Sequence, residues 1–133
     1  MKNEIIEKIR RAIEARLYEN IVIGIRADNY RYADGDELYC STHQIDGEED
    51  VQELDGTCVV PLWQGEVGRY EIEDVIEEIS EDWDYILNIV REYDGRYITI
   101  AISNRYELGW DEYDGGRQEL IACNAICIAQ IER

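Results

Sequence analysis

The sequence has no phenylalanine, one proline, one histidine and two lysines, both of which lie within the first eight residues. A single histidine disfavours multi-histidine metal sites and most histidine-based catalysis. No apolar run approaches the ~20 residues of a membrane-spanning helix, and the charged, amphipathic N-terminus is unlike a signal peptide. We therefore expect a cytoplasmic protein whose four cysteines are reduced.

The cysteines and the histidine form no strong metal or nucleophile motif. Cys123 and Cys127 lie four residues apart on a predicted strand, ~13 Å from each other, so they cannot hold one zinc ion together. The sequence leaves open whether Cys40, His43 and Cys58 meet in space as metal ligands or as a cysteine–histidine pair. We predict no metal, no cofactor and no catalytic residue, and hence a protein that is not an enzyme.

Negative charge is abundant and unevenly distributed. The net charge is −18, and residues 21–133 carry 27 acidic and eight basic side chains. Two stretches, 28–55 and 71–94, each hold ten acidic residues and one arginine, a balance of −9. Such charge disfavours nucleic acid and membranes as direct partners and favours a basic protein surface, a cation or simple solubility.

Residues 71–93 are predicted to form one long amphipathic helix. Apolar residues recur at steps of three and four, and their phase is kept across Ser80. They form one continuous stripe: Ile72, Val75, Ile76, Ile79, Trp83, Ile86, Leu87, Val90 and Tyr93. We expect Gly95 to end this helix in a left-handed conformation.

The opposite face of this helix carries two rows of acids with i,i+4 spacing, here called the carboxylate ladder. Like charges at this spacing each destabilise a helix by a few tenths of a kcal/mol. Neighbours within a row are ~6 Å apart along the axis. A solvated helix usually interleaves lysine with glutamate, whereas this one has Arg91 alone. The ladder consists of Glu73, Asp74, Glu77, Glu78, Glu81 and Asp82.

The order of predicted elements indicates one α+β domain spanning residues 1–133. We expect a small antiparallel or mixed β-sheet with an N-terminal helix and the long acidic helix packed on it. Residues 41–56 are predicted to form a loop, and the Asp34-Gly35 dipeptide favours a hairpin turn. The other predicted elements are a helix at 4–18 and strands at 21–25, 57–60 (stopped by Pro61), 97–102 and 119–131.

Every aromatic side chain in the sequence has a polar group, since there are ten tyrosines, three tryptophans and no phenylalanine. Tyrosine and tryptophan dominate protein-binding hot spots. A second group of predicted partner-binding residues lies in the 103–118 connection: Tyr106, Trp110, Asp111 and Tyr113.

In size, charge and carboxylate rows, the chain resembles the DNA-mimic inhibitors of mobile elements, the anti-CRISPR and anti-restriction proteins. It also looks like the acidic immunity proteins that neutralise nuclease toxins. The resemblance implies inhibition without catalysis, by occupation of the basic groove of a nucleic-acid-handling enzyme. The alternatives are a general acidic interaction or structural domain and, further off, a small enzyme.

Overall fold

The structure is a computed structural model that describes residues 2–38, 43–45, 60–104, 109–111, 117–120 and 125–133, with 43–45, 109–111 and 117–120 described as backbone only. A 3₁₀ turn at Arg69–Glu71 leads into the second helix. Neither helix of this described part is long and apolar enough to cross a membrane. In chain order the elements are α1 (Lys2–Glu14), β1 (Asn20–Asp28), β2 (His43–Ile45), β3 (Val60–Glu66), α2 (Ile72–Val90), β4 (Tyr97–Asn104), β5 (Gly109–Asp111), β6 (Arg117–Leu120) and β7 (Ile126–Glu132).

The principal sheet has four strands in the order β3-β1-β4-β7. Each neighbouring pair is antiparallel. The shorter strands form a second sheet in the order β2-β6-β5, which is also antiparallel. Two helices and antiparallel sheets confirm the predicted α+β class, and the sheet is antiparallel rather than mixed. The second sheet was not predicted, because its strands are only three or four residues long.

One hydrophobic cluster joins buried side chains of both helices to those of the principal sheet. In β1 and β4 these side chains alternate along the chain, as expected for one face of a sheet. The cluster's members include Ile9 and Ile13 of α1, Ile79 and Trp83 of α2, and Ile21, Ile23, Ile25, Ile98, Ile100 and Ile102 of the two strands.

The first helix is shorter than predicted, ending at Glu14 rather than at residue 18. Tyr18 has a φ of +68°, which no right-handed helix accommodates. Its backbone N–H donates to the carbonyl of Val67 at 2.9 Å. The end of the predicted helix, around Tyr18, therefore contacts the segment that follows β3 rather than continuing α1.

The second helix runs through Ser80 without interruption, as predicted, but ends at Val90. The prediction that Gly95 provides a left-handed stop is wrong, because Gly95 does not have a positive φ. Among the described glycines, positive φ is found at Gly35 and Gly65. Gly95 is required for a different reason: a Cβ there would lie 2.9 Å from that of Ala27. Beyond the end of α2, the guanidinium of Arg133 donates hydrogen bonds to the backbone carbonyls of Arg91 and Tyr93.

Pro61 does not end a strand but lies inside β3. It is paired with Gly24 of β1 beside a shift in register. β3 is the outermost strand of its sheet, and proline is tolerated on such a strand because its missing N–H can face away from the ladder. The rest of the predicted strand, residues 57–59, lies outside the described residues.

The region around Asp34 contains the predicted turn, but the described backbone after it pairs with β7. The N–H of Gly35 donates to Cys127 O at 2.8 Å, and the N–H of Leu38 donates to Ala125 O at 2.8 Å. The predicted strand at 119–131 is likewise wrong in part, since β6 and β7 belong to different sheets. Residues 43–45 of the predicted loop form β2.

Candidate acidic interface

All six ladder carboxylates lie on α2, and all six side chains are exposed to solvent. The buried residues of the same helix occupy the other side, among them Val75, Ile79 and Trp83. At 3.6 residues per turn, the six acids of the two rows lie on one continuous arc that covers about 180° of the helix surface. The helix therefore separates its apolar stripe from its charge, as the periodicity predicts.

One ladder member has a cationic partner. Arg10 of α1 forms an ion pair with Glu73, and this hydrogen bond raises the pKa of the Arg10 guanidinium above its ordinary value. The Glu73 side chain remains 78% exposed. Exposed ion pairs contribute about 0–1 kcal/mol and are screened by salt. The pair therefore weakens the charge at the first step of the ladder without removing the carboxylate from solvent.

The contacts between α1 and α2 define their relative direction. Arg10 lies at Glu73, and the ammonium of Lys2 donates to the Ser80 carbonyl at 3.2 Å. From Arg10 back to Lys2 the chain moves eight residues, or ~12 Å, towards the start of α1. The matching contacts on α2, from Glu73 to Ser80, move seven residues, or ~10.5 Å, towards its end. The helices are antiparallel, and the basic groups of α1 contact α2 at its start and middle.

A second ladder member is held in place by a neutral donor. The indole N–H of Trp63, on β3, donates to a carboxylate oxygen of Glu78 at 2.8 Å. An indole brings no positive charge, so this hydrogen bond positions the Glu78 side chain without an ion pair. Within the described part of the chain, the remaining members form no ion pair: Asp74, Glu77, Glu81 and Asp82.

The second group of predicted partner-binding residues is not tested by the structure. Tyr106 and Tyr113 lie outside the described residues. Trp110 and Asp111 lie on β5, a strand rather than the predicted loop, and only their backbone is described.

Sequence reasoning missed two exposed tyrosines beside the ladder. Tyr70 lies in the 3₁₀ turn before α2 and is 94% exposed, and Tyr85 lies on α2 and is 69% exposed. The signal that could have found them is the i,i+4 spacing, because each tyrosine extends one acidic row by four residues. Asp84 is also exposed on this helix.

Three of the four described acids of the other negative stretch have partners inside the fold. Asp28, on β1, forms an ion pair with the nearly buried Arg26, with Nε and Oδ2 3.0 Å apart. The same oxygen accepts a hydrogen bond from the Thr99 hydroxyl at 2.6 Å. Gln130 extends this network by donating to Thr99 at 2.9 Å. The network of Asp28, Thr99 and Gln130 thus joins three neighbouring strands of the principal sheet, β1, β4 and β7.

The turn after β1 uses its acids in the same way. Asp34 forms an ion pair with Lys8 of α1. The carboxylate of Asp36 accepts a hydrogen bond from the backbone N–H of Ala33 at 2.8 Å. These contacts attach the turn to α1 and close it upon itself, so its carboxylates already have partners.

The structure gives no support to a cysteine nucleophile at Cys127. Burial and the negative charges of Asp34 and Asp36 raise the pKa of its thiol to about 11. The side chain is therefore a protonated core residue at neutral pH. The described residues contain no group of three or more potential metal ligands. Cys40, Cys58 and Cys123 lie outside the described residues, and His43 is described only as backbone paired with Leu120.

Comparison of the chain with protein-family models, with curated proteins and with solved structures finds no match.

Proposed function

We propose that the protein is a non-catalytic acidic inhibitor that occupies the basic groove of a nucleic-acid-handling enzyme, in the manner of DNA-mimic anti-CRISPR and anti-restriction proteins. The observation that carries the proposal is the exposure of all six ladder carboxylates on one helix. Within the described part of the chain, Glu73 alone among them has a basic partner.

The ladder supports a binding function because its like charges destabilise the helix that carries them, so structural stability alone does not account for it. It contains four like-charge i,i+4 pairs, and each destabilises the helix by about 0.2–0.5 kcal/mol. A cationic groove would relieve this repulsion on contact and would attract the protein from a distance. The long helix, packed on the sheet through its apolar stripe, would present the charges in fixed positions.

A general acidic interaction or structural domain is the second candidate. The observation that favours it is the Arg10–Glu73 pair, which shows that part of the ladder's charge can be used within the molecule. Under this alternative the remaining carboxylates serve solubility or a general acidic contact, and no nucleic-acid-handling enzyme is retained through them.

Affinity capture with two matched variants distinguishes these functions. The test variant replaces three ladder members, as E77Q/E81Q/D82N. The control variant E4Q/E14Q/E19Q makes the same change in net charge at exposed acids on or beside α1. Each protein is immobilised, exposed to a bacterial lysate at about 0.1 M salt and eluted at about 1 M, where charges are screened beyond ~3 Å.

We expect the wild type and the control variant to retain a nucleic-acid-handling enzyme that elutes with salt, and the test variant to lose most of it. The wild type should also inhibit the captured enzyme in its own assay, while the test variant associates with it more slowly. Equal retention by all three proteins, or retention of no nucleic-acid-handling enzyme, would contradict the proposal.

A further inference from the structure

Two exposed aromatic rings lie at opposite ends of the carboxylate ladder. Tyr70 and Tyr85 are among four large apolar side chains that the described residues leave widely exposed. A tyrosine so exposed contributes little to the core, and such residues serve as anchors where a surface meets a partner. This observation is independent of the charge of the ladder.

Each ring continues one acidic row. Tyr85 follows Glu81 by four residues and extends the row that begins at Glu73. Tyr70 precedes Asp74 by four residues, at the head of the other row. At about 100° per residue, Tyr85 falls within the arc of the six carboxylates. Tyr70 lies in the 3₁₀ turn that leads into α2, so the two exposed tyrosines bracket the ladder, with their backbones about 22 Å apart along the axis.

The spacing of the charges resembles that of one nucleic-acid strand. The ladder has two carboxylates in every four residues, or one per ~3 Å of helix axis. Measured along a duplex axis, each stacked strand carries one phosphate per ~3.4 Å, and the two strands together carry one per ~1.7 Å. On this measure the charge density of α2 matches that of one stacked strand and is about half that of a duplex.

Aromatic rings distinguish the same two partners. Proteins that bind single strands combine a cationic groove with side chains on which successive bases stack. In a duplex the faces of the bases are stacked inside the helix. A groove that binds a duplex therefore does not require aromatic rings of a mimic in place of unstacked bases. The ~22 Å between the tyrosines corresponds to about six or seven nucleotides, within the ~4–16 that one OB-fold holds.

We infer that Tyr70 and Tyr85 are the aromatic anchors of this interface, and that the groove it fits is one built for single-stranded nucleic acid. The inference rests on the proposed function and names the class of its target.

Competition between two labelled complexes tests the inference. One is a fluorescein-labelled oligothymidine on an OB-fold single-strand-binding protein, and the other is a labelled duplex on a helix-turn-helix repressor. Fluorescence anisotropy measures the concentration of this protein that displaces each nucleic acid. The variants are Y70A/Y85A, the E77Q/E81Q/D82N variant, and Y30A, which removes a tyrosine of similar exposure to Tyr85 far from the ladder in sequence.

We expect displacement of the oligothymidine at a concentration at least about tenfold below that needed for the duplex. Y70A/Y85A should raise this concentration by about fivefold or more, as loss of a stacking ring does, while Y30A leaves it unchanged. Circular dichroism verifies that each variant is folded.

Three results would overturn the inference, and they separate it from the proposed function. Preferential or equal displacement of the duplex, lost in E77Q/E81Q/D82N, would leave the inhibitor proposal standing with a different target. Displacement of the oligothymidine unaffected by Y70A/Y85A would remove the tyrosines as anchors. Displacement of neither nucleic acid would overturn the inference, while the proposed function would still be decided by the capture experiment.

Discussion

The stretches 28–55 and 71–94 have the same net charge, yet the structure uses their acids differently. In the described part of the first stretch, Asp28, Asp34 and Asp36 each have a partner within the fold. In the second stretch the carboxylates project into solvent from one face of a helix. Within the described residues, acids from two stretches of equal charge thus differ: those at 28, 34 and 36 have partners in the fold, and those at 73–82 form an exposed surface.

The difference has a physical origin in the position of each acid relative to the sheet. Asp28 lies at the end of a central strand, where desolvation favours pairing with Arg26 and Thr99. The ladder lies on the face of α2 opposite the apolar stripe. Because the stripe is buried against the core, the carboxylates of the ladder point away from the body of the protein. An acidic patch becomes a candidate interface when its carboxylates lack internal partners, whatever their number.

The largest expected difference between the regions is in stability. Asp28→Ala should lower the free energy of unfolding by about 3 kcal/mol, because it removes a carboxylate that bonds both Arg26 and Thr99 within the sheet, and a hydrogen bond to a charged group contributes about 1.5–3 kcal/mol. The matched change Asp82→Ala on the ladder should shift it by about 0.5 kcal/mol or less. Urea denaturation measures both. Similar losses in the two variants would contradict the distinction between internal and free acids.

A smaller effect is expected at alkaline pH, from Cys127. Its pKa is about 11 in the folded protein against an ordinary 9.0, so between pH 9 and 11 the unfolded chain binds fewer protons at this thiol. Stability from this group is complete below pH 9 and is lost as pH rises to 11, by about 2–3 kcal/mol.

Urea denaturation at both ends of this pH window, with C127A as the control, isolates the contribution of the thiol. The wild type should lose more stability than C127A between pH 9 and 11. Parallel pH profiles would show that neither burial nor the charges of Asp34 and Asp36 raise the pKa of this thiol in the folded protein.

The smallest expected effect has the opposite sign and concerns the ladder itself. Glu77→Gln removes two like-charge pairs, those with Glu73 and Glu81, and should stabilise the protein by about 0.4–1 kcal/mol at low salt. The gain should diminish at about 1 M salt, where the charges are screened. Glu14→Gln on α1 serves as the control for loss of one exposed acid. Destabilisation by Glu77→Gln would show that its carboxylate has a structural role.

The helix of the ladder could be predicted from the sequence because its signal is long and periodic. Nine apolar residues keep one phase, and the buried side of α2 follows them. The short strands β2, β5 and β6 could not, since three or four residues carry no distinctive alternation. Pro61 and Gly95 were misread because their roles depend on a neighbouring strand, which local sequence rules do not include.

The candidate site was predictable in its charges and less so in its aromatic residues. The rows of carboxylates follow from helical spacing alone. The exposure of Tyr70 and Tyr85 depends on which face of the chain the core covers. The contacts Arg10–Glu73 and Trp63–Glu78 join residues distant in sequence, so no local pattern could indicate them.

The most direct test of the central claim compares a cationic with a neutral soluble nitroxide as NMR relaxation agents. A cationic probe concentrates where negative charge is not compensated. We predict that the ratio of cationic to neutral relaxation enhancement at backbone amides is highest along residues 74–82 of α2 and clearly lower at residues 28–37. An equal or reversed ratio would contradict the claim that the ladder, and not the described part of the first acidic stretch, is presented to a cationic partner.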